Sequence, residues 1–135
     1  MAWETAQTFS PSIKNGAGSG ATGLIQFMDA TAKGLGTTIE NLELLSAESQ
    51  LYYVKKYFEP YAKRIKTRSD MYMAIFYPKY IGLPEDTVIS SGGAVYRQNA
   101  GFDLNRDGKI TKAECTACID KMHKMGMAVG CVRNL

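Results

Sequence analysis

The chain has 135 residues, 45% of them hydrophobic, which is enough for one compact domain with a buried core. Its 16 basic and 13 acidic residues leave a net charge of +3, too small and too scattered for a dedicated nucleic-acid binder. No apolar stretch approaches the roughly 20 residues of a membrane span, and the N-terminus lacks the basic-then-apolar pattern of a signal peptide.

In chain order, Met1 to Thr8 reads as the last turns of a helix that stops at Phe9-Ser10-Pro11, because the residue before a proline is pushed out of the helical region. A loop runs on to Ala21. Its cluster Gly16-Ala17-Gly18-Ser19-Gly20 joins segments too short to be separate domains, so it reads as a loop whose backbone must come close to something. The run Gly20-Ala21-Thr22-Gly23-Leu24-Ile25-Gln26-Phe27-Met28 follows, with Trp3-Glu4-Thr5 upstream.

Glu4 followed by this Gly-Ala-x-Gly-Leu-Ile-Gln run resembles the signature of the lytic transglycosylase and goose-type lysozyme superfamily. The resemblance covers residues 1–83 and implies a mainly α, lysozyme-like single domain over 1–135 that cleaves the MurNAc-GlcNAc β-1,4 bonds of peptidoglycan, an anionic polymer that a basic chain suits. It makes Glu4 the catalytic acid and Gln26 a sugar-binding residue, with Phe27 a packing surface beside it. A glycosidic acid must be protonated near neutral pH, which calls for apolar surroundings. No second carboxylate is marked by a motif, so the implied chemistry uses Glu4 alone and yields a 1,6-anhydro-MurNAc end. A muramidase on the same fold is the nearest rival, and a non-catalytic, calcium-dependent glycan-binding or structural virion module is the rival of another class. Asp29 stands where the family has proline and suits the cap of a helix at Ala30-Thr31-Ala32. Thr5 replaces the Ser that commonly follows the acid, and keeps a hydroxyl.

Further on, Thr37-Thr38-Ile39-Glu40 has a capping-box pattern opening a short helix to Leu45. Ser46 caps a longer one, in which Ala47, Leu51, Val54 and Phe58 share the spacing of a buried face while Lys55 and Lys56 face water. Pro60 bends or ends it. Ser69-Asp70 opens a helix from Met71 to Tyr77 that is apolar almost all round, and Pro78 closes it. The family's Ala-Tyr-Asn segment is approximated by Ala74 to Pro78, which makes Tyr77 a cleft residue, with Phe76 aligning equally well; Tyr96 and Asn99 are alternatives. Thr87-Val88-Ile89 supports at most a two- or three-residue bridge.

The stretch Asp103-Leu104-Asn105-Arg106-Asp107-Gly108-Lys109-Ile110-Thr111-Lys112-Ala113-Glu114 fits each defining position of an EF-hand loop. Asp103, Asn105 and Asp107 fill positions 1, 3 and 5, Gly108 permits the sharp turn, Lys109 offers its backbone carbonyl, and Glu114 binds bidentately. Ile110 is the inward apolar anchor. A single loop with a short incoming segment after Gly92-Gly93 suits one structural Ca2+ and not a paired sensor, with the loop and final helix spanning 94–125. Such inserted loops resemble those of some transglycosylases, phage proteins that open the wall above all. That resemblance implies action in the bacterial cell wall or periplasm after delivery by a phage or on a virion, with the glycan strand and other virion proteins as partners. The final helix, Thr111 to Met125, carries Cys115 and Cys118; with Cys131 the cysteines number three, which leaves one unpaired in any disulfide scheme. One disulfide involving Cys131, a zinc site made by the cysteines with His123, and buried free thiols are the alternatives.

Overall fold

The computed structural model describes residues 1–16 and 18–128. The fold is mainly helical, with one two-stranded sheet among the described residues. The chain divides into two compact units, Met1–Ala62 and a second beginning at Lys63. No helix among the described residues is long and apolar enough to cross a membrane.

The first unit opens with turns where the sequence suggests a helix. Ala6, Gln7 and Phe9 have φ values of 47°, 68° and 52°, outside the helical region. The cause is Thr5, which is fully buried. Its hydroxyl donates to the Met1 carbonyl at 3.0 Å, beside the Thr5 amide, and accepts from the Phe9 amide at 3.0 Å, so the side chain takes the bond that a continuing helix would make from Phe9 to the Thr5 carbonyl.

Three helices follow: α1 (Asp29–Gly34), α2 (Ile39–Leu44) and α3 (Ala47–Phe58). Asp29 is not the cap of α1. It is the first helical residue after Met28, and its carboxylate bonds Lys33 one turn on at 2.7 Å. The cap of α2 is shifted by one from the expected box: the Thr38 hydroxyl accepts from the Asn41 amide, so Glu40 falls outside the reciprocal pair. Ser46 caps α3 through the Ser49 amide, as its sequence predicts, and Pro60 lies in the 3-10 turn Glu59–Tyr61 that ends it.

The buried stripe of α3 is rotated from the apolar periodicity. Gln50 is fully buried and Val54 nearly so, whereas Leu51 is 43% exposed. A satisfied amide displaces leucine because Gln50 makes three hydrogen bonds inside the unit, described below. Of the two lysines expected in water, Lys55 is exposed while Lys56 is half-buried and donates to the Leu35 carbonyl at 3.2 Å.

In the second unit α4 (Arg68–Phe76) starts earlier than Ser69-Asp70 suggests, at a Thr67 cap that completes a capping box with Asp70. Pro78 follows its end, in the 3-10 turn Pro78–Tyr80. A strand β1 (Val88–Ser91), longer than the bridge expected from its propensity, pairs antiparallel with β2 (Lys109–Thr111) in the register Val88 to Thr111 and Ser91 to Lys109. Between them run α5 (Gly93–Asn99) and the 3-10 turn Ala100–Phe102. The closing helix α6 (Lys112–Gly126) packs on α4.

Tyr72 stacks on Phe76 with ring centroids 5.8 Å apart, and Phe102 tilts against both. Met73, Ala74, Ile81, Ile110 and Cys115 are buried in this unit as well, and Met71 is exposed, so α4 is not apolar-buried all round. Burial pushes the Cys115 thiol up to about 12, which makes it an inert core group, and Cys115 and Cys118 are both free thiols. The pairing considered for Cys131 lies outside the described residues.

Candidate functional site

The residues that the sequence singles out fall in both units. Glu4, Gln26 and Phe27 belong to the first, and Tyr77, Tyr96, Asn99 and the calcium-loop residues to the second.

Glu4 is half-buried on the N-terminal turn that Thr5 holds shut. Burial raises its carboxyl pKa above the ordinary glutamate value, and the nearby Met1 ammonium opposes this only in part. A carboxyl in that state keeps its proton to higher pH than a solvated one, which a general acid requires.

The glycine-rich segment folds as a tight antiparallel turn. Thr22 and Phe27 exchange backbone hydrogen bonds at 3.0 and 2.8 Å around Gly23–Gln26, and Thr22 also bridges to Lys14. Gln50 clamps this turn from α3. Its Oε1 accepts from the Leu24 amide at 2.7 Å, and its Nε2 donates to the Pro11 and Leu42 carbonyls, each at 3.0 Å. Sequence reasoning missed Gln50, since an amide 26 residues from its partner carries no local signal.

The clamp accounts for Gly23. Its φ is +80°, and a Cβ there would sit 2.5 Å from Gln50 Oε1 and 2.8 Å from the Pro11 carbonyl oxygen. Gly23→Ala is therefore expected to cost about 1–3 kcal/mol through the backbone alone, with displacement of Gln50 added. Urea unfolding measures it; a loss below about 0.5 kcal/mol, the range of ordinary surface changes, would show that the turn yields freely.

Within this turn Gln26 holds φ 55°, a left-handed conformation that costs a non-glycine residue of order 1 kcal/mol. Its Nε2 braces the loop by donating to the Gly23 carbonyl at 3.1 Å and the Ile13 carbonyl at 3.3 Å. The side-chain nitrogen is thus committed to the loop, and the carbonyl oxygen is the group left to meet a ligand. Phe27 is corrected from a cleft wall to a core residue: it is 1% exposed and packs edge-on against Tyr57 at 6.4 Å, so its ring has no face for a sugar.

In the second unit Tyr77 is half-buried, edge-on to Phe76 and Tyr80, with Lys79 Nζ 5.9 Å from its ring centre. Asn99 turns its amide back onto the Val95 carbonyl of its own helix at 2.9 Å. Tyr96 donates its hydroxyl to Asp103 Oδ2 at 2.5 Å, toward the loop at 103–114.

That loop closes on its own carboxylates. The Asp107 amide donates to Asp103 Oδ1 at 3.2 Å and to Asn105 Oδ1 at 2.9 Å, the Gly108 amide to Asp103 Oδ2 at 3.0 Å, and the Lys109 amide to Asp107 Oδ1 at 2.9 Å. Arg106 and Gly108 take φ of 62° and 82° to make the turn. Lys109, Ile110 and Thr111 form β2, with Ile110 1% exposed, and Thr111 caps α6 in a box with Glu114. The Glu114 carboxylate spans the loop, accepting from the Leu104 amide through Oε1 and from the Thr111 amide and hydroxyl through Oε2.

The donors are hard oxygens, and two of the carboxyls are held ionised. The Tyr96 hydrogen bond, with the Gly108, Arg106 and Asp107 amides, keeps the Asp103 pKa below the ordinary value. Burial raises that of Glu114, but the Thr111, Asn105 and Leu104 groups outweigh it and the net shift is downward. Asp103, Asn105, Asp107, the Lys109 carbonyl and Glu114 thus suit Ca2+ by chemistry and order. Among the described residues no three acidic, His or Cys side chains already converge as a metal cluster.

The chain matches no protein-family model, no curated protein and no solved structure with which it has been compared.

Proposed function

We propose that this protein is a lysozyme-like peptidoglycan lytic transglycosylase with one structural Ca2+ site. The observation that carries the reading is the desolvated Glu4 carboxyl, whose pKa is raised, in the same unit as the Gly20–Met28 turn. Glu4 donates its proton to the oxygen leaving C1 of N-acetylmuramic acid. As carboxylate it then takes the proton of that sugar's C6 hydroxyl, whose oxygen closes on C1. The glycosidic C–O bond breaks, a 1,6-anhydro C–O bond forms, and Glu4 ends protonated as it began. Gln26, in the same unit as Glu4, contributes its amide oxygen to sugar binding.

Digestion of purified murein followed by mass spectrometry tests this reading. A transglycosylase gives anhydro ends one water lighter than the reducing ends a muramidase would give. Binding without either product would make the chain a glycan-binding or virion module. The working place of the enzyme is the cell wall, reached by phage delivery or from a virion, with other virion proteins as partners.

Asp103, Asn105, Asp107, Lys109 and Glu114 would hold the Ca2+, whose contribution is to pin α5 and β2 to the start of α6. Saturating Ca2+ at a hundredfold excess over its Kd is expected to add about 2.7 kcal/mol of stability. Chelation should lower Tm by several degrees in differential scanning calorimetry, and an unchanged Tm would remove the ion from the proposal.

A further inference from the structure

We propose that Tyr96 is a positioning residue for the cation site, fixing Asp103 for metal binding. The inference rests on the calcium reading above and moves Tyr96 from the sugar-binding group to the metal's surroundings.

The geometry is specific. Tyr96 lies on α5, the short incoming helix, and the 3-10 turn Ala100–Phe102 carries the chain from there to Asp103. Phe102, buried against Tyr72 and Phe76, anchors that turn in the core. The phenol therefore reaches Asp103 from α5 on one side, and the Gly108 amide reaches the same oxygen from the loop. A carboxylate offers about two lone-pair sites per oxygen. The Tyr96 hydroxyl at 2.5 Å and the Gly108 amide at 3.0 Å together fill those of Oδ2. Oδ1 lies on the side away from the phenol, where it accepts from the Asp107 amide at 3.2 Å; the Arg106 amide also bonds this carboxylate, so a cation at Oδ1 would share that side with loop amides.

Two effects of the phenol oppose each other. Donation to Asp103 draws some charge from the carboxylate and weakens its pull on a cation. It also fixes the orientation of a side chain that a cation would otherwise have to order. Partners that orient metal ligands in this way are commonly worth 10- to 100-fold in affinity, so orientation wins. Asp103 is 9% exposed and has few other orientations, which places the expected effect at the lower end of that range.

The test is calorimetric titration of the full chain with Ca2+, comparing wild type with Tyr96→Phe, which keeps the ring and removes the hydroxyl. Tyr96→Phe is expected to bind about 10-fold more weakly while its far-UV circular dichroism without metal matches wild type. In wild type, Ca2+ should also perturb tyrosine near-UV absorbance with the same midpoint as the heat, and Tyr96→Phe should lack this signal. Equal affinities overturn the proposal and leave the calcium site standing. Should Tyr96→Phe fail to fold, the wild-type absorbance decides: Ca2+ binding with no tyrosine perturbation overturns it too. If wild type takes up no Ca2+, the calcium reading itself falls and takes this inference with it.

Discussion

Glu4→Gln is expected to lower murein cleavage by about 10²- to 10⁴-fold, the usual contribution of a positioned acid–base group, without lowering Tm. The two halves of that expectation have separate causes. Burial disfavours the ionised carboxyl and raises its pKa, so the charge is a burden on the folded state and an amide of the same shape removes it. Function is lost because the amide cannot give up a proton. The pH dependence follows: the acid must be protonated, so its contribution persists to higher pH than for a solvated Glu and fades as pH rises through the elevated pKa. Turbidity clearance of cell walls across pH, with a melting curve on the same samples, measures both. Equal clearance by wild type and variant would discard Glu4 as the acid. A large fall in Tm would show that Glu4 serves the turn and not the reaction.

Lys112→Met is expected to cost about 3–5 kcal/mol of stability, the loss seen when one partner of a buried ion pair is removed. Lys112 Nζ lies 2.7 Å from Asp70 Oδ1 and 2.7 Å from the Leu83 carbonyl, and the two side chains are 2% and 3% exposed. Asp70 also accepts from the amides of Lys66, Thr67 and Gly82, so it ties the start of α4 to the loop at 82 and to the first residue of α6. Burial works against its charge, but the Lys112 hydrogen bond and these amides outweigh it and hold the carboxyl well below the usual carboxylate range. A depressed folded pKa contributes stability above the unfolded value. The pair is therefore fully effective at neutral pH and lost as acid approaches the folded pKa. Methionine would leave a buried carboxylate with no cation. Asp70→Asn in the Lys112→Met background should recover part of the loss, since the amide oxygen still accepts and carries no charge. Urea denaturation of the single and double variants measures this; a single-variant loss of only about 1 kcal/mol, as for an exposed pair, would refute the buried role.

Lys112 shows why part of the fold is not legible in the sequence. It is position 10 of the calcium loop, where the motif demands nothing, and its partner is 42 residues away. Gln50, 26 residues from Leu24, is hidden in the same way: a buried amide is indistinguishable in sequence from a solvated one, and only its three acceptors and donors reveal it. Adjacency to Gln26 suggests a place for Phe27 in the cleft. Yet neighbours on a tight turn point apart, and the ring goes to Tyr57 while Gln26 braces the loop.

What the sequence by itself determined are features decided within a few residues. The Ser46 cap, the helix ends at Pro60 and Pro78, and the order of oxygen-bearing residues around Gly108 each depend on local backbone rules, and each stands in the structure. Tertiary structure decided the rest. Thr5 closed an N-terminal turn in place of a helix, Gln50 displaced Leu51 from the buried stripe of α3, and Asp70 found its cation on α6. The physical reason is common to all three. A polar side chain removed from water must take its hydrogen bonds where the fold supplies them, and that requirement overrides helix pattern and apolar period alike.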